Sequence, residues 1–147
     1  MEYMNHLSSG DLPIGLKKAA NPTYKVGSTA VLNTNHMKGM DGAEATIVGA
    51  FDTTVYAISY TPTTGGEKVI NHKWIIHEEI KDHQNEPYQA GEKVVMETDH
   101  MEGMRGAVAS IDAFEMTTVY MIDYKSTTDG AQVSNHKWVT ENELSIK

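Results

Sequence analysis

At 147 residues, with 39% hydrophobic and 22% charged side chains, the chain has a globular composition, and no run nears the ~18 apolar residues of a membrane span. A formal net charge of -8, with twelve Lys and Arg scattered rather than gathered into a stripe, repels phosphate backbones and excludes nucleic acid as an expected partner. Cysteine is absent, so disulfides, thiolate catalysis and Cys-built zinc sites are excluded, leaving His, Met and carboxylates as the available metal ligands.

In chain order, Met1 to Pro22 comes first, rich in Ser, Gly, Asn and Lys and without a sustained period; it reads as a partly ordered Met- and His-bearing extension. Behind it the chain is a tandem duplication. Tyr24 aligns with Tyr88, His36 with His100 and Trp74 with Trp138, each pair 64 positions apart, and roughly half the aligned positions are identical. The first module spans 23–80 and the second 88–147. The polar segment 81–87, closed by Pro87, reads as a linker.

Within each module the spacing is that of short strands. Ala30 to Leu32 answers to Val94 to Met96. Ala43, Ala45 and Ile47 alternate, as do Ala107, Ala109 and Ile111; Tyr56, Ile58 and Tyr60 then share a face, matched by Tyr120, Ile122 and Tyr124. Gly39 and Gly42, Thr64-Gly65-Gly66, Gly103 and Gly106, and Asp129-Gly130 supply turns between the runs. Four or five short strands in under 60 residues, with a Trp near the end and a brief acidic turn after it, predict an all-β protein of two tandem small SH3-like barrels. Each module is near the lower size limit for a core, so the copies are expected to pack together.

Two constellations carry the candidate chemistry. The first is His36-Met37-Lys38-Gly39-Met40, repeated as His100-Met101-Glu102-Gly103-Met104. One imidazole and two thioethers on a glycine-bent loop are the donors a monovalent copper ion prefers, because soft ligands select a soft metal; silver fits the same set. The competing reading is that the glycines make the turn and the methionines fill gaps in the core. Met4 and His6 place the same donor types near the amino end. The second constellation is Asn71-His72-Lys73-Trp74, repeated as Asn135-His136-Lys137-Trp138. On a regular strand His and Trp point the same way, and Trp in so small a module is expected in the core. His72 and His136 are read first as buried, hydrogen-bonded residues, and also as the floor of a site whose other donors come from the His-Met loop.

His77 and His83 face Glu141 and Lys147 in the alignment and are read as surface residues, as are Glu78-Glu79 and Glu141-x-Glu143. No nucleophile elbow, His-Glu-x-x-His or phosphate-cradling glycine loop occurs, so no enzyme and no organic cofactor is expected.

The ordered motifs His-Met-x-Gly-Met-x-Gly-Ala-x-Ala, Thr-Thr-Val-Tyr and Asn-His-Lys-Trp-Val/Ile occur twice, behind Leu12-Pro13-x-Gly15-Leu16 and Asn21-Pro22-x-Tyr24. In this the chain resembles the YdhK-type lipoproteins of Gram-positive bacteria over nearly its whole length. The resemblance implies an exported protein held at the outer membrane leaflet by a lipidated cysteine of the full-length precursor, which this sequence does not contain. It also implies, for CopL-type members, copper resistance and binding of monovalent copper. The expectation is therefore a non-enzymatic, extracytoplasmic protein that sequesters Cu(I) through His36, Met37, Met40, His100, Met101, Met104, Met4, His6, His72 and His136, alongside a copper exporter system. Its membrane contact is expected through the anchor alone. A rival is an SH3-like module binding cell wall or peptide through Tyr56, Tyr60 and Trp74; a third, an RNA-binding barrel, is opposed by the acidic balance.

Overall fold

The computed structural model describes residues 10–147; the amino-terminal donors Met4 and His6 lie outside the described residues. The described chain is all-β. Its strands are β1 (Lys17–Lys18), β2 (Thr29–Leu32), β3 (Glu44–Tyr60), β4 (Val69–Ile76), β5 (Lys93–Val95), β6 (Val108–Lys125), β7 (Gln132–Thr140) and β8 (Leu144–Ser145). Single 3₁₀ turns, His77–Glu79 and Glu141–Glu143, follow β4 and β7.

The runs expected as separate short strands are joined. Ala45–Ile47 and Val55–Tyr60 lie on one 17-residue strand, and their counterparts on one of 18 residues. Nothing between Ile47 and Val55 forms a tight turn: Gly49 stands alone, and Thr53, Thr54 and Val55 are β-branched residues that favour extended backbone. The burial pattern changes along the way. Odd positions, Ala43, Ala45 and Ile47, are buried early, whereas from Thr54 to Tyr60 every position is buried.

The strand is divided between two cores, its early part serving one and its late part the other. One core unites Leu32, Ala45 and Ile47 with Tyr120, Ile122, Tyr124, Val139 and Leu144. The other unites Tyr56, Ile58, Tyr60 and Ile75 with Val94, Met96, Ala109 and Ile111. The two compact units therefore do not coincide with the two repeats: one contains 17–52 and 117–147, the other 53–116. Each unit combines the early part of one repeat with the late part of the other.

The strands belong to one antiparallel sheet in the order β5-β6-β3-β2-β8, with β1 and β4 also on β3 and β7 on β6. This path does not return to its start, so the sheet is open and the expected closure into SH3-like barrels is not seen. The long strands β3 and β6 account for the difference, because each continues into a second unit instead of bending back around its own.

β4 and β7 carry a bulge at the tryptophan. Tyr56 faces Ile75 but Ala57 faces Lys73, leaving Trp74 as the extra residue; Trp138 is skipped the same way between Val139 and Lys137. A bulge re-aims side chains, so the same-face expectation for His and Trp does not hold. Ahead of it, Asn71 and Asn135 take φ of 54° and 53°, a left-handed conformation that asparagine tolerates better than most residues. Their N–H groups donate to Ser59 Oγ at 3.1 Å and Asp123 Oδ1 at 2.7 Å.

A buried tyrosine closes each unit. Tyr88 N–H donates to Tyr56 Oη at 3.0 Å, Tyr56 hydrogen-bonds His77 Nδ1 at 2.8 Å, and His77 Nε2 meets the Gln84 carbonyl at 2.6 Å. In the other unit Tyr24 N–H donates to Tyr120 Oη at 3.3 Å, and Tyr120 donates to Glu141 at 3.2 Å. His77, expected as a plain surface residue, thus replaces Glu141 in an equivalent chain of bonds. Burial pushes the Tyr56 and Tyr120 phenols from 10 up to about 12. Because the folded values are raised, the associated stability is intact below pH 10 and is lost as pH climbs towards the folded value near 12. The urea midpoint is expected to fall across that window, with the phenolate absorbance of these two rings appearing only as the protein unfolds. Ionisation of both rings near pH 10 in folded protein would contradict it.

Candidate functional site

The His-Met loop joins β2 to β3 in one unit. Gly39 turns it at φ 87°, and Met40 N–H closes onto the Met37 carbonyl at 3.2 Å. A side chain at Gly39 would collide with the Ser126 hydroxyl, and the Gly39 carbonyl accepts Thr127 N–H at 2.9 Å. The loop of the first repeat is therefore seated on the β6–β7 hairpin of the second. Gly103, at φ 83°, is seated equivalently against Pro62 and Thr64, with Thr63 N–H donating to its carbonyl at 2.9 Å.

This seating gathers the two constellations. The His36 and His136 rings lie 6.3 Å apart between centroids, and the His100 and His72 rings 6.4 Å apart. Each pair takes its loop histidine from one repeat and its strand histidine from the other. Two imidazoles sharing an ion, each with nitrogen about 2 Å from it, have ring centroids roughly 6 Å apart. His36 Nδ1 and His136 Nε2 are both buried, as are His100 Nδ1 and His72 Nε2.

The sulfurs of each loop divide. Met40 and Met104 are fully buried in the two cores, where their side chains fill apolar volume. Met37 and Met101 stay on the loop beside the histidines. Tyr124 donates to Met37 Sδ at 3.7 Å and Tyr60 to Met101 Sδ at 3.5 Å. The same tyrosines stand edge-on to the strand histidines, Tyr124 at 6.0 Å from His136 and Tyr60 at 6.2 Å from His72. Burial raises both phenols above the ordinary value, Tyr124 to about 12. They remain neutral hydroxyl donors at physiological pH.

A carboxylate orients each loop histidine. His36 Nε2 meets Glu143 Oε2 at 2.6 Å, and Thr34 donates to the same oxygen at 2.9 Å. His100 Nε2 meets Glu79 Oε2 at 2.7 Å, with Thr98 donating at 3.0 Å. The other carboxylate oxygen caps the 3₁₀ turn, accepting Ile76 N–H at 3.0 Å from Glu79 and Thr140 N–H at 2.9 Å from Glu143. Glu79 and Glu143 were expected to be solvated; Glu79 is 3% exposed and is a structural centre of its unit. Their sequence signal was the shared 64-residue offset, which Glu78 and Glu141 lack. A carboxylate against Nε2 fixes the orientation of each loop imidazole, an arrangement seen behind many metal-bound histidines.

Among the described residues no three His or acidic side chains form a metal-holding group. A third protein donor to a histidine pair would accordingly be the thioether. Two imidazoles and one thioether fit a soft or borderline ion better than a hard one.

The comparisons follow the duplication. A family model described as "Protein of unknown function (DUF1541)" matches residues 26–77 and again 90–141. The chain belongs to the DUF1541 family. Against the "Uncharacterized protein YdhK" of Bacillus subtilis it is 60% identical over 146 residues, 99% of this chain and 71% of that relative. A crystal structure of the DUF1541 protein ydhK from Bacillus subtilis matches with a TM-score of 0.96 at 59% identity, over the whole of both chains. A solution NMR structure described as the ydhK C-terminal domain matches with a TM-score of 0.80 at 62% identity, covering 84% of this chain and 93% of that one. The two DUF1541 matches include both loop histidines, both strand histidines, Met37 and Met101. Glu79 and Glu143 fall just beyond them.

Proposed function

We propose that this DUF1541 protein binds monovalent copper in two equivalent clusters, His36–Met37–His136 and His100–Met101–His72, and sequesters it without catalysis. The supporting observation is the meeting of a loop imidazole from one repeat with a strand imidazole from the other, at 6.3 Å and 6.4 Å between ring centroids, with the loop thioether hydrogen-bonded to the tyrosine that stands edge-on to that strand imidazole. A thioether requires no deprotonation and cannot be consumed by disulfide formation, so the donor set suits an oxidising compartment. That agrees with an extracytoplasmic location on a lipid-anchored precursor, supplying or relieving a copper exporter. The aromatic-grip alternative is disfavoured because Tyr56 and Tyr60 are buried rather than displayed.

Titration with Cu(I) under reducing conditions against a competing chelator tests the reading. The parent is expected to take two tightly held ions, and His136→Ala/Met37→Leu or His72→Ala/Met101→Leu to take one each. Because every cluster ties one repeat to the other, saturating metal should also raise the melting temperature, by the equivalent of ~2.7 kcal/mol at one hundred times Kd for a single site. Unchanged stoichiometry in both double variants would reject the proposal.

A further inference from the structure

Resting on that reading, we infer that the two clusters are unequal in kinetics: His100–Met101–His72 is the site where a monovalent soft cation enters and leaves, and His36–Met37–His136 is the site that retains it.

The inner geometry is matched. The loop histidine side chains are 8% and 9% exposed, for His36 and His100, and both are braced by a carboxylate. The difference lies in the third donor and in the charge around it. Met101 is 43% exposed, whereas its counterpart Met37 is only partly exposed. A thioether open to water can form the first bond to an arriving ion while that ion still holds its solvent or carrier ligands; a more enclosed one requires those ligands to be shed first.

The loop charges differ in the same direction. Around Met101 stand Glu97, Asp99 and Glu102, all exposed, against a single Arg105; at the matching positions around Met37 stand Asn33, Asn35, Lys38 and Asp41. One loop is net anionic and the other is neutral. Exposed charge of one sign raises the local concentration and arrival rate of the opposite sign. Cations are drawn to the Met101 loop, and Lys38 repels them from the Met37 loop. Neither difference touches the imidazole pairs, so they act on rates more than on the bonds finally formed.

The clusters can be followed separately by ¹³C-methyl methionine NMR during titration with silver(I), a redox-inert probe of monovalent copper, in chloride-free buffer. The Met101 methyl is expected to respond at lower silver and to exchange faster than the Met37 methyl. Asp99→Asn/Glu102→Lys should slow silver capture at Met101 roughly three- to tenfold at low ionic strength, leaving Met37 unaltered, and salt should erase the difference. Equal exchange at both methyls, or faster exchange at Met37, overturns the inference while leaving two-site binding intact. If neither methyl responds to silver, the inference and the binding proposal fall together.

Discussion

Glu79→Ala is expected to lower the stability of the protein by about 3–5 kcal/mol, the cost of leaving several buried hydrogen-bonding groups without their acceptor. The carboxylate is 3% exposed, and its partners include Ile76 N–H, the Thr98 hydroxyl and His100 Nε2. Truncation leaves all three facing a cavity that water reaches poorly, and each donor loses an acceptor without regaining solvent. Glu79→Gln retains an oxygen for the Ile76 N–H and most of the volume, so it should cost less, about 1–2 kcal/mol. Glu143→Ala should fall between them, because Glu143 is 13% exposed and water partly replaces it. Urea denaturation of the four proteins checks the order. An alanine variant at position 79 with the parental midpoint would mean that the turn after β4 is held by something other than this carboxylate.

Trp138→Ala should be nearly as damaging, and Trp74→Ala clearly less so, although the two residues occupy the same place in the repeat. Trp138 is fully buried and meets Phe51 edge-on, with ring centroids 5.8 Å apart. Deleting a large aromatic side chain from such a position costs about 3–5 kcal/mol, enough to lower the melting temperature by roughly 10 °C. Trp74 is only partly buried, and Lys73 Nζ lies 5.3 Å from its ring centroid. The position equivalent to Phe51 is Glu115. Replacement of Trp74 should cost roughly half as much, in proportion to the apolar area buried. Equal melting temperatures for the two variants would contradict this asymmetry.

Much of this architecture could be read from residues. The 64-residue offset disclosed the duplication, and period-two alternation at Ala43–Ile47 and Val55–Tyr60 disclosed strand. What those patterns did not convey was connectivity between runs. A shift of alternation from odd to even positions looks like two strands with a turn between them, yet it equally describes one strand serving two cores, and the missing turn signal between Ile47 and Val55 was the discriminating clue. The site was legible in its donor types but not in its grouping. His36 and His136 are 100 positions apart, and no local pattern connects a loop in one copy with a bulged strand in the other. The burial of Met40 and Met104 was not legible, because a methionine beside a histidine has the same sequence appearance whether its side chain lies on the loop or in the interior. Glu79 was misjudged because acids after a tryptophan resemble a solvated turn until the distant histidine is placed against one of them.

The allocation of half of each copy to each core has an evolutionary corollary. A single copy following this same chain path would enclose neither apolar interior alone and would need a second polypeptide to exchange segments with. Fusion of two such genes would turn an intermolecular partnership into an obligatory intramolecular one. Thereafter substitutions could accumulate unequally, as at Phe51 and Glu115 or Lys38 and Glu102, with each copy remaining answerable for the integrity of its twin.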